Sequence, residues 1–288
     1  INALPYLCKM DLQTIYQNLQ IQDMNQMQKT TYKATEDHKD VILLSPTGSG
    51  KTLGFLFPIL RNLNTRLVGI QAIILVPSRE LALQIEQVFK SMGTDYKVTV
   101  CYGGHDKKIE VNNLIQAPAL LIGTPGRIAY HLKNDNFDPT TIETMVLDEF
   151  DKSLEFGFHE DMSFIINEMP NLKQRMLTSA TAMPEIPEFT GVNRPEQVDF
   201  LKVLEIKPDF QLRKVMTTSE EKLDTLFTLL CKIGNKRTLI FCNHRDAVDR
   251  ISELLKEKGI SRETFHGGME QDERERALLK FRMTFPQF

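Results

Sequence analysis

Six short, continuous apolar runs alternate with amphipathic segments over the first part of the chain. They are Val41–Leu44, Ile70–Val76, Val98–Tyr102, Leu120–Gly123, Met145–Asp148 and Met176–Thr178. Runs of this length, separated by helical patterns, are typical of parallel strands that helices cover on both faces. We therefore predict an α/β fold built on a doubly wound parallel sheet. In such sheets ligands bind just beyond the carboxyl ends of the strands, so the residues that follow each run are the first functional candidates.

The pattern weakens after residue 203 and then begins again. The chain has 288 residues, which is more than one compact core usually holds. We predict a first domain at 1–203, a linker at 204–219 and a partial second α/β domain at 220–288. The elements predicted for the second domain are helices at Glu220–Ile233, Asp246–Lys258 and Glu270–Phe281, and strands at Thr238–Cys242 and near Arg262–Phe265.

The composition is that of a soluble globular protein, with 41% hydrophobic and 25% charged residues. No apolar stretch approaches the ~20 residues of a membrane span, and the N-terminal segment lacks the pattern of a secretory signal. We therefore expect a cytoplasmic protein with no membrane partner. The four cysteines form no CxxC pair, which argues against a disulfide framework or a zinc site. A net charge of −3 gives no bulk attraction to nucleic acid.

A glycine-rich loop follows the first apolar run. Its residues, in the Walker A arrangement, are Ser45, Pro46, Thr47, Gly48, Ser49, Gly50, Lys51 and Thr52. Small residues allow backbone N–H groups to surround phosphate oxygens, while Lys51 neutralises phosphate charge and Thr52 offers a hydroxyl to magnesium. The loop predicts a binding site for a nucleoside triphosphate with Mg²⁺. The alternative is a Gly/Ser turn before a helix that happens to contain Lys-Thr.

Two adjacent acids stand at the end of the fifth run. Asp148 and Glu149 follow Met145–Leu147, where a phosphoryl-transfer site needs carboxylates. We predict that Asp148 holds magnesium through its water shell and that Glu149 orients and deprotonates the attacking water. Adjacent acids at a strand end are also common as solvated loop residues. The prediction therefore depends on the phosphate loop being real.

Further short motifs occur in a fixed order. They are Gln28, Pro77-Ser78-Arg79-Glu80-Leu81-Ala82, Gly103-Gly104, Thr124-Pro125-Gly126-Arg127, Asp148-Glu149-Phe150-Asp151 and Ser179-Ala180-Thr181. In this order they resemble the motifs of the DEAD-box RNA helicases. Phe150 replaces the family's Ala, and a side chain so much larger has to find room against the sheet. The resemblance implies two RecA-like domains, the second incomplete, that close on ATP and RNA.

The resemblance also implies roles for single residues. Gln28 would recognise the edge of adenine, since a carboxamide both donates and accepts; the alternative is a helix-surface glutamine. Asp151, Ser179 and Thr181 would couple the nucleotide site to RNA, the alternative being a polar strand end. Contacts to the RNA backbone would come from Pro77, Arg79, Gly103, Gly104, Thr124, Pro125, Gly126, Arg127, Asn243, Gln271 and Arg274. For the loops around Ser78 and Thr124 the alternatives are a helix start and a turn.

The function that the resemblance implies is ATP-dependent unwinding or remodelling of RNA. Lys51, Asp148 and Glu149 would be catalytic, with ATP and Mg²⁺ as cofactors and RNA as partner of a monomeric protein. RNA would be contacted through its backbone with little sequence preference. An ATP-gated RNA clamp or assembly factor is the rival; a P-loop transporter or signalling ATPase would not explain Gln28, TPGR and SAT together. Two family motifs rich in arginine are not found after Arg274, so we expect slow ATP hydrolysis by this chain.

Overall fold

The computed structural model describes residues 12–104, 106–183, 185–202 and 211–283. The chain divides into two compact units, Ile1–Lys207 and Pro208–Phe288. Part of the predicted linker, residues 204–210, lies outside the described residues, as does Cys8. Among the described ranges, no helix is both long and apolar enough to cross a lipid bilayer.

A single parallel sheet of seven described strands forms the centre of the first unit. The strands are β1 Asp40–Leu44, β2 Ala72–Leu75, β3 Val98–Cys101, β4 Leu120–Gly123, β5 Thr144–Leu147, β6 Gln174–Ser179 and β7 Glu196–Asp199. Their order across the sheet is β3-β4-β2-β5-β6-β1-β7, and every neighbouring pair is parallel. The predicted α/β class with a doubly wound parallel sheet is confirmed.

Helices cover both faces of this sheet. They are α1 Leu12–Asn18, α2 Gln26–Asp37, α3 Lys51–Asn62, α4 Arg79–Ser91, α5 Lys107–Ile115, α6 Pro125–Lys133, α7 Phe150–Glu155 and α8 His159–Asn167. Alternate residues of each strand face opposite sides. Leu43 and Ile74 pack in one core layer with α1 to α4, and Ile42 and Ile73 pack in the other with α5 to α8. Because both faces are covered, the strands are continuous apolar runs rather than alternating ones.

Two helix starts are fixed by side-chain caps. Ser78 accepts a hydrogen bond from the backbone N–H of Leu81 at 3.2 Å and begins α4. Asn25 and Gln28 form a capping box at the start of α2, each side chain accepting from the other residue's backbone N–H. These caps matter for function because each one stands next to a candidate site loop.

Strand β7 was not predicted. In Glu196–Asp199 only Val198 is buried, because the strand lies at the edge of the sheet and pairs with β1 alone. An edge strand with one buried residue shows neither a continuous apolar run nor clear alternation. The six predicted strands are all present, and their ends differ from the predicted ones by no more than two residues.

The second unit contains three described helices, α9 Lys222–Ile233, α10 Arg245–Glu257 and α11 Gln271–Met283. All three were predicted. The strands predicted at Thr238–Cys242 and near Arg262–Phe265 are wrong, since residues 211–283 include no strand. A parallel strand is stabilised by hydrogen bonds to neighbouring strands, and neither segment pairs with one among the described residues. Phe241 is accordingly 89% exposed rather than buried in a sheet.

Candidate nucleotide and RNA site

Three functional loops meet at the carboxyl edge of β5, β6 and β1. These strands are neighbours, and their register pairs Leu44 with Ser179 and Leu147 with Leu177. The β1–β6 pairing continues for one residue, because Ser45 N donates to Ser179 O at 3.1 Å. The phosphate loop, the acidic loop after β5 and the loop that begins at Ser179 therefore leave the sheet side by side.

Left-handed glycines shape the phosphate loop. Gly48 has φ +79° and Gly50 has φ +89°, a region that side chains with a Cβ rarely adopt. A Cβ on Gly50 would also lie 2.7 Å from Gln28 Nε2. Lys51 follows as the first residue of α3, and its ammonium donates to Ser45 O at 2.6 Å and to Pro46 O at 3.0 Å. The loop therefore curls around the amino group that was predicted to neutralise phosphate.

The loop has the donors that a triphosphate requires. The N–H groups in the first turn of α3 have no intrahelical acceptor and carry the positive end of the helix dipole. The hydroxyls of Ser45 and Ser49 are buried and have no hydrogen-bond partner among the described residues. Uncompensated buried hydroxyls are costly, and phosphate oxygens would satisfy them. The residues present therefore fit the phosphates of a nucleotide.

Gln28 is attached directly to the phosphate loop. Its side chain is buried, and Nε2 donates to Gly50 O at 3.1 Å while Oε1 accepts from Asn25 N at 2.8 Å. Asn25 Nδ2 donates to Ser49 O at 3.0 Å, so the capping box holds the loop at two points. A helix-surface glutamine is not what the structure shows. The carboxamide keeps one N–H and one lone pair for a further ligand, and its contact with adenine stays a prediction.

The acidic loop after β5 contains a buried carboxylate and a left-handed backbone residue. Asp148 is 4% exposed and accepts a hydrogen bond from Thr178 Oγ1. Burial raises the pKa of Asp148 to about 6. Glu149 has φ 47° and ψ 50°, a conformation that costs a residue with a Cβ roughly 1–2 kcal/mol. Strain of this kind is kept where it serves to aim a side chain, as expected of a residue that orients water.

Lys51 lies within electrostatic reach of the acidic loop. Burial lowers the pKa of Lys51, and the carboxylates of Asp148, Glu149 and Asp151 act in the opposite direction. Cation and carboxylates thus share one poorly solvated site, where each charge stabilises the other. Thr52, predicted as a magnesium ligand, is the second residue of α3 and adjoins this cluster in sequence.

The predicted coupling residues are bonded to one another. Thr181 Oγ1 donates to Asp151 Oδ2 at 2.9 Å, and Thr181 N donates to Ser179 Oγ at 3.0 Å. Ser179 Oγ also donates to the carbonyl of Thr181 at 2.8 Å. The loop after β6 is therefore tied to the helix that starts in the acidic loop. Whether this link carries a signal between nucleotide and RNA stays a prediction.

The side chain of Phe150 packs in the hydrophobic core and not at the candidate nucleotide site. Its side chain is fully buried in the core layer of α5 to α8. The ring lies 6.3 Å from the ring of Phe189, centroid to centroid, and His159 packs edge-on against Phe189 at 4.4 Å. Phe189 belongs to a short 3-10 turn, Glu188–Thr190, beyond the loop that contains Thr181. The large side chain is thus accommodated by aromatic packing beneath the acidic loop.

The predicted RNA-binding loops follow the other half of the sheet. The Pro77 loop follows β2, the Gly103-Gly104 loop follows β3, and the Thr124 loop follows β4, with Pro125 and Gly126 as the first residues of α6. These three strands are neighbours in the order β3-β4-β2. Arg79 Nη1 donates to Gly103 O at 3.4 Å, and its guanidinium lies 4.6 Å from the centre of the Tyr102 ring. The first two loops are therefore in direct contact.

Arg127 is paired inside the protein. Its side chain is 8% exposed, and Nη1 lies 2.9 Å from Glu110 Oε2. His131 Nε2 lies 2.7 Å from the same oxygen. Arg127 thus engages a buried carboxylate instead of facing solvent. A direct contact from Arg127 to phosphate stays a prediction and would require this pair to rearrange.

The second unit places its predicted residues at helix starts. Asn243 is exposed just before α10, and Gln271 and Arg274 lie in the first turn of α11. The guanidinium of Arg274 lies 4.8 Å from the centre of the Phe265 ring. His266 Nε2 lies 3.1 Å from Asp249 Oδ1, and its Nδ1 accepts from Gly268 N at 3.2 Å. Both ring nitrogens have partners, which agrees with a structural histidine.

Several residues at the site were missed from the sequence. Asn25 could have been found, because Asn-x-x-Gln before a helix is the pattern of a capping box. Thr178, which bonds Asp148, and Glu110, which bonds Arg127, gave no local signal. Their partners lie 30 and 17 residues away in sequence. Such contacts depend on strand order and not on any short pattern.

Comparisons with known protein families agree with this geometry. The model of the DEAD/DEAH box helicase family matches residues 25–189, and the model of the helicase conserved C-terminal domain matches residues 221–286. Among curated relatives, the chain is 37% identical over 262 residues to the ATP-dependent RNA helicase CshA of Limosilactobacillus reuteri. It is 32% identical over 260 residues to the DEAD-box ATP-dependent RNA helicase CshA of Geobacillus kaustophilus. Each alignment covers 89% of this chain, but 52% and 56% of the relatives, so the chain spans about half their length.

Two solved structures are similar over most of the chain. S. cerevisiae Dbp5 bound to RNA and ADP BeF3 matches with a TM-score of 0.81 at 26% identity, covering 94% of this chain and 70% of that one. A DEAD box protein from the hyperthermophile Methanococcus jannaschii matches with a TM-score of 0.59 at 25% identity, covering 94% and 74%. The predicted α/β class is confirmed by these matches also.

Replacing Asp148 with Asn should stabilise the protein at alkaline pH when no ligand is bound. The pKa of Asp148 is about 6 in the folded state against 3.8 for the group when exposed. Because the folded protein holds this proton more tightly than the unfolded chain does, the contribution of Asp148 to the free energy of unfolding is most favourable below about pH 4. This contribution is lost as the pH rises through about 6. Asp148→Asn removes the buried charge. We expect a gain of up to about 3 kcal/mol in the free energy of unfolding at pH 8 and none near pH 4.

Urea unfolding at several pH values, without nucleotide or metal, measures this difference. The exposed Asp95→Asn is the matched control, and it should change stability little at any pH. An Asp148→Asn gain that is the same at about pH 4 and pH 8 would contradict the assignment of a buried, charged carboxylate.

Replacing Gln28 with Glu should affect both base choice and the phosphate loop. The variant keeps an oxygen for Asn25 N but loses the N–H that bonds Gly50 O, leaving two acceptors face to face. We expect ATP affinity to fall roughly tenfold and the preference for ATP over GTP to disappear. Competition of both nucleotides against a fluorescent analogue measures this. The control is Gln26→Glu, an exposed residue of the same helical turn; an unchanged preference in Gln28→Glu would remove Gln28 from base recognition.

Proposed function

Because the chain belongs to the DEAD/DEAH box helicase family, we propose that it binds ATP and RNA and uses ATP to unwind or remodel RNA locally. The observation that supports this proposal most strongly is that one edge of the sheet holds two neighbouring sets of candidate loops. The loops after β5, β6 and β1 hold the phosphate-binding and acidic residues, and those after β3, β4 and β2 hold the predicted RNA-binding residues. One rigid sheet thus supports both sites, which is what coupling between them requires.

The nucleotide half has the groups that phosphoryl transfer needs. Lys51 would neutralise phosphate charge inside a loop of backbone donors, and Glu149 would orient and deprotonate the attacking water. Gln28 would recognise adenine while it holds Gly50 in place. Thr52 and Asp148 would hold Mg²⁺, which supplies charge neutralisation on the phosphates. The hydroxyl of Thr178 orients Asp148 for that purpose.

The RNA half favours recognition of the sugar–phosphate backbone. Gly103 and Gly104 lie in one of its loops and Gly126 lies in the first turn of α6, which permits close approach of main-chain N–H groups to phosphate, and Thr124 adds a hydroxyl. Contacts of this kind carry little sequence information. Low sequence preference is therefore part of the proposal. The similar Dbp5 structure is of a protein bound to RNA and ADP BeF3, which supports the same pair of ligands for this chain.

A cytoplasmic location and a monomeric state stay predictions from the sequence. The rival function also stays open as an outcome of experiment. An ATP-gated clamp would use the same residues to bind both ligands but would not separate RNA strands. No single contact in the first unit distinguishes these two uses of the site among the described residues.

Two substitutions should separate nucleotide binding from chemistry. Lys51 would neutralise phosphate charge in both the ground state and the transition state, so Lys51→Ala should weaken ATP binding by roughly tenfold or more. Glu149 acts on water, so Glu149→Gln should keep ATP affinity and lower the hydrolysis rate, already expected to be slow in this chain, by about a further 10²–10⁴. Nucleotide titration and phosphate release, each with and without RNA, measure these effects. Loss of ATP affinity in Glu149→Gln as large as in Lys51→Ala would contradict the assigned roles.

The same proteins test the function itself in a strand-displacement assay. We expect the unmodified chain to displace a short RNA duplex under single-turnover conditions only when ATP and Mg²⁺ are present, and Lys51→Ala to fail. ATP-dependent binding of RNA without displacement would favour the clamp. Absence of RNA binding in a chain that binds ATP would contradict both functions.

A further inference from the structure

A buried group of charged and polar side chains connects the RNA-binding loops, and the proposed chemistry does not use it. Glu110 lies in the first turn of α5 and is 1% exposed. Its two oxygens accept hydrogen bonds from three different positions. Oε1 accepts from Tyr102 N at 2.9 Å, and Oε2 accepts from Arg127 and His131 at 2.9 and 2.7 Å. A carboxylate is seldom buried this fully unless cations and N–H groups surround it.

The positions joined by Glu110 lie beside two of the predicted RNA-binding loops. Tyr102 lies between the end of β3 and Gly103, whereas Arg127 and His131 lie in α6, which begins at the Thr124 loop. Tyr102 and Gly103 also contact a third loop, the Pro77 loop. The guanidinium of Arg79, which follows that loop, lies over the Tyr102 ring and donates to Gly103 O. A single carboxylate therefore ties the segment before the Gly103-Gly104 loop to the helix that follows Thr124, and the Pro77 loop is attached to the former through Arg79.

A metal site is the other use that these residue types suggest. Ligand atoms of Cys101, Glu110 and His131 lie within 4.8 Å of one another, and all three residues are buried. However, Arg127 already places a positive charge on the oxygen that a cation would need. Burial, aided by the charge of Glu110, also raises the pKa of the Cys101 thiol, whereas metals bind the thiolate. Positioning of the loops is therefore the use that the contacts favour.

We propose that Glu110 is a positioning residue for RNA binding, holding the Gly103-Gly104 loop and the Thr124 loop in one geometry that fits the RNA backbone. This inference rests on the proposed function. His131 supports Glu110 from α6 and is itself held by Asn136, whose amide lies 3.0 Å from Nδ1. Because the nucleotide loops follow other strands, loss of the Glu110 contacts leaves the ATP site intact.

The test compares RNA affinity with nucleotide affinity in the full chain. RNA affinity is measured with a short fluorescent oligouridylate in the presence of Mg²⁺ and a non-hydrolysable ATP analogue, and nucleotide affinity without RNA. Glu110→Met has similar length but accepts none of these hydrogen bonds. It should weaken RNA binding roughly tenfold while changing nucleotide affinity less than about twofold. Glu110→Gln keeps an acceptor and should recover most of the RNA affinity.

A second variant guards against loss of folding in Glu110→Met. His131→Leu removes one donor to Glu110 Oε2 and leaves the contacts of Tyr102 and Arg127. It should weaken RNA binding about threefold, again with little change in nucleotide affinity.

Asp40→Asn is the matched control for lost stability. Asp40 is a buried carboxylate at the amino end of β1, with Oδ2 accepting from Asn193 N at 2.9 Å and Arg175 3.7 Å from Oδ1. Like Glu110 it is a buried carboxylate near an arginine, but it lies at the amino edge of the sheet and its Oδ1 has no hydrogen-bond partner among the described residues. Asp40→Asn should lower the melting temperature and leave both affinities unchanged.

Three results would overturn the inference. The first is that folded Glu110→Met or His131→Leu protein binds RNA as tightly as the unmodified chain. The second is that Asp40→Asn weakens RNA binding as much as Glu110→Met, because the loss would then come from general destabilisation. The third is that the nucleotide affinity of Glu110→Met falls in parallel with its RNA affinity. If instead the unmodified chain binds nucleotide but no RNA, the proposed function fails first and this inference fails with it.

Discussion

The parallel pairing of the strands in one fixed order is the constraint on which the rest of the first unit depends. Parallel strands end at the same edge, so every loop that follows a strand end opens on that edge. The β2–β5 pair, in register from Ala72 with Thr144 to Leu75 with Leu147, forms the boundary between the proposed RNA half and the proposed nucleotide half. A different strand order would scatter the same motifs over distant positions.

Several residues at the carboxyl edge of the sheet lower the stability of the folded protein. Asp148 is buried, Lys51 is buried close to it, and Glu149 has a left-handed backbone. Each feature would be unfavourable in a protein selected for stability alone. Together they give a candidate site whose charges are held in place without a ligand, and preorganised charges of this kind would favour the proposed phosphoryl transfer. Core packing beneath the site, including the fully buried Phe150, supports this arrangement.

Prediction from the sequence succeeded where a local pattern determines the structure. The run Leu120–Gly123 is buried on both faces, so its apolar pattern marked both ends of β4. The loop Ser45–Thr52 leads from β1 into α3 as predicted, and Gly48 and Gly50 have the left-handed backbone that glycine favours, whereas its binding of phosphate stays a prediction. Local patterns missed the strand Glu196–Asp199, in which only Val198 is buried. They also predicted a strand at Thr238–Cys242, where the structure has none and no neighbouring strand is available for pairing among the described residues.

Local patterns did not predict contacts between distant elements; the bond of Thr181 to Asp151 was suggested by the family resemblance alone. The bond from Thr178 to Asp148 and the group around Glu110 arise because neighbouring strands bring their following loops together. Gln28 shows the intermediate case. Its position ahead of the phosphate loop suggested a role, but its bond to Gly50 O and its burial follow from the packing of α2 against α3.

The most direct test of this account is amide hydrogen exchange of the full chain with and without a non-hydrolysable ATP analogue and Mg²⁺. Exchange reports the opening of individual backbone segments. If one sheet edge forms a single nucleotide site, residues 45–52 and 148–151 should both exchange more slowly when the nucleotide is bound. Protection limited to residues 45–52, or found in neither segment, would contradict the claim that strand order brings the phosphate loop and the acidic loop together.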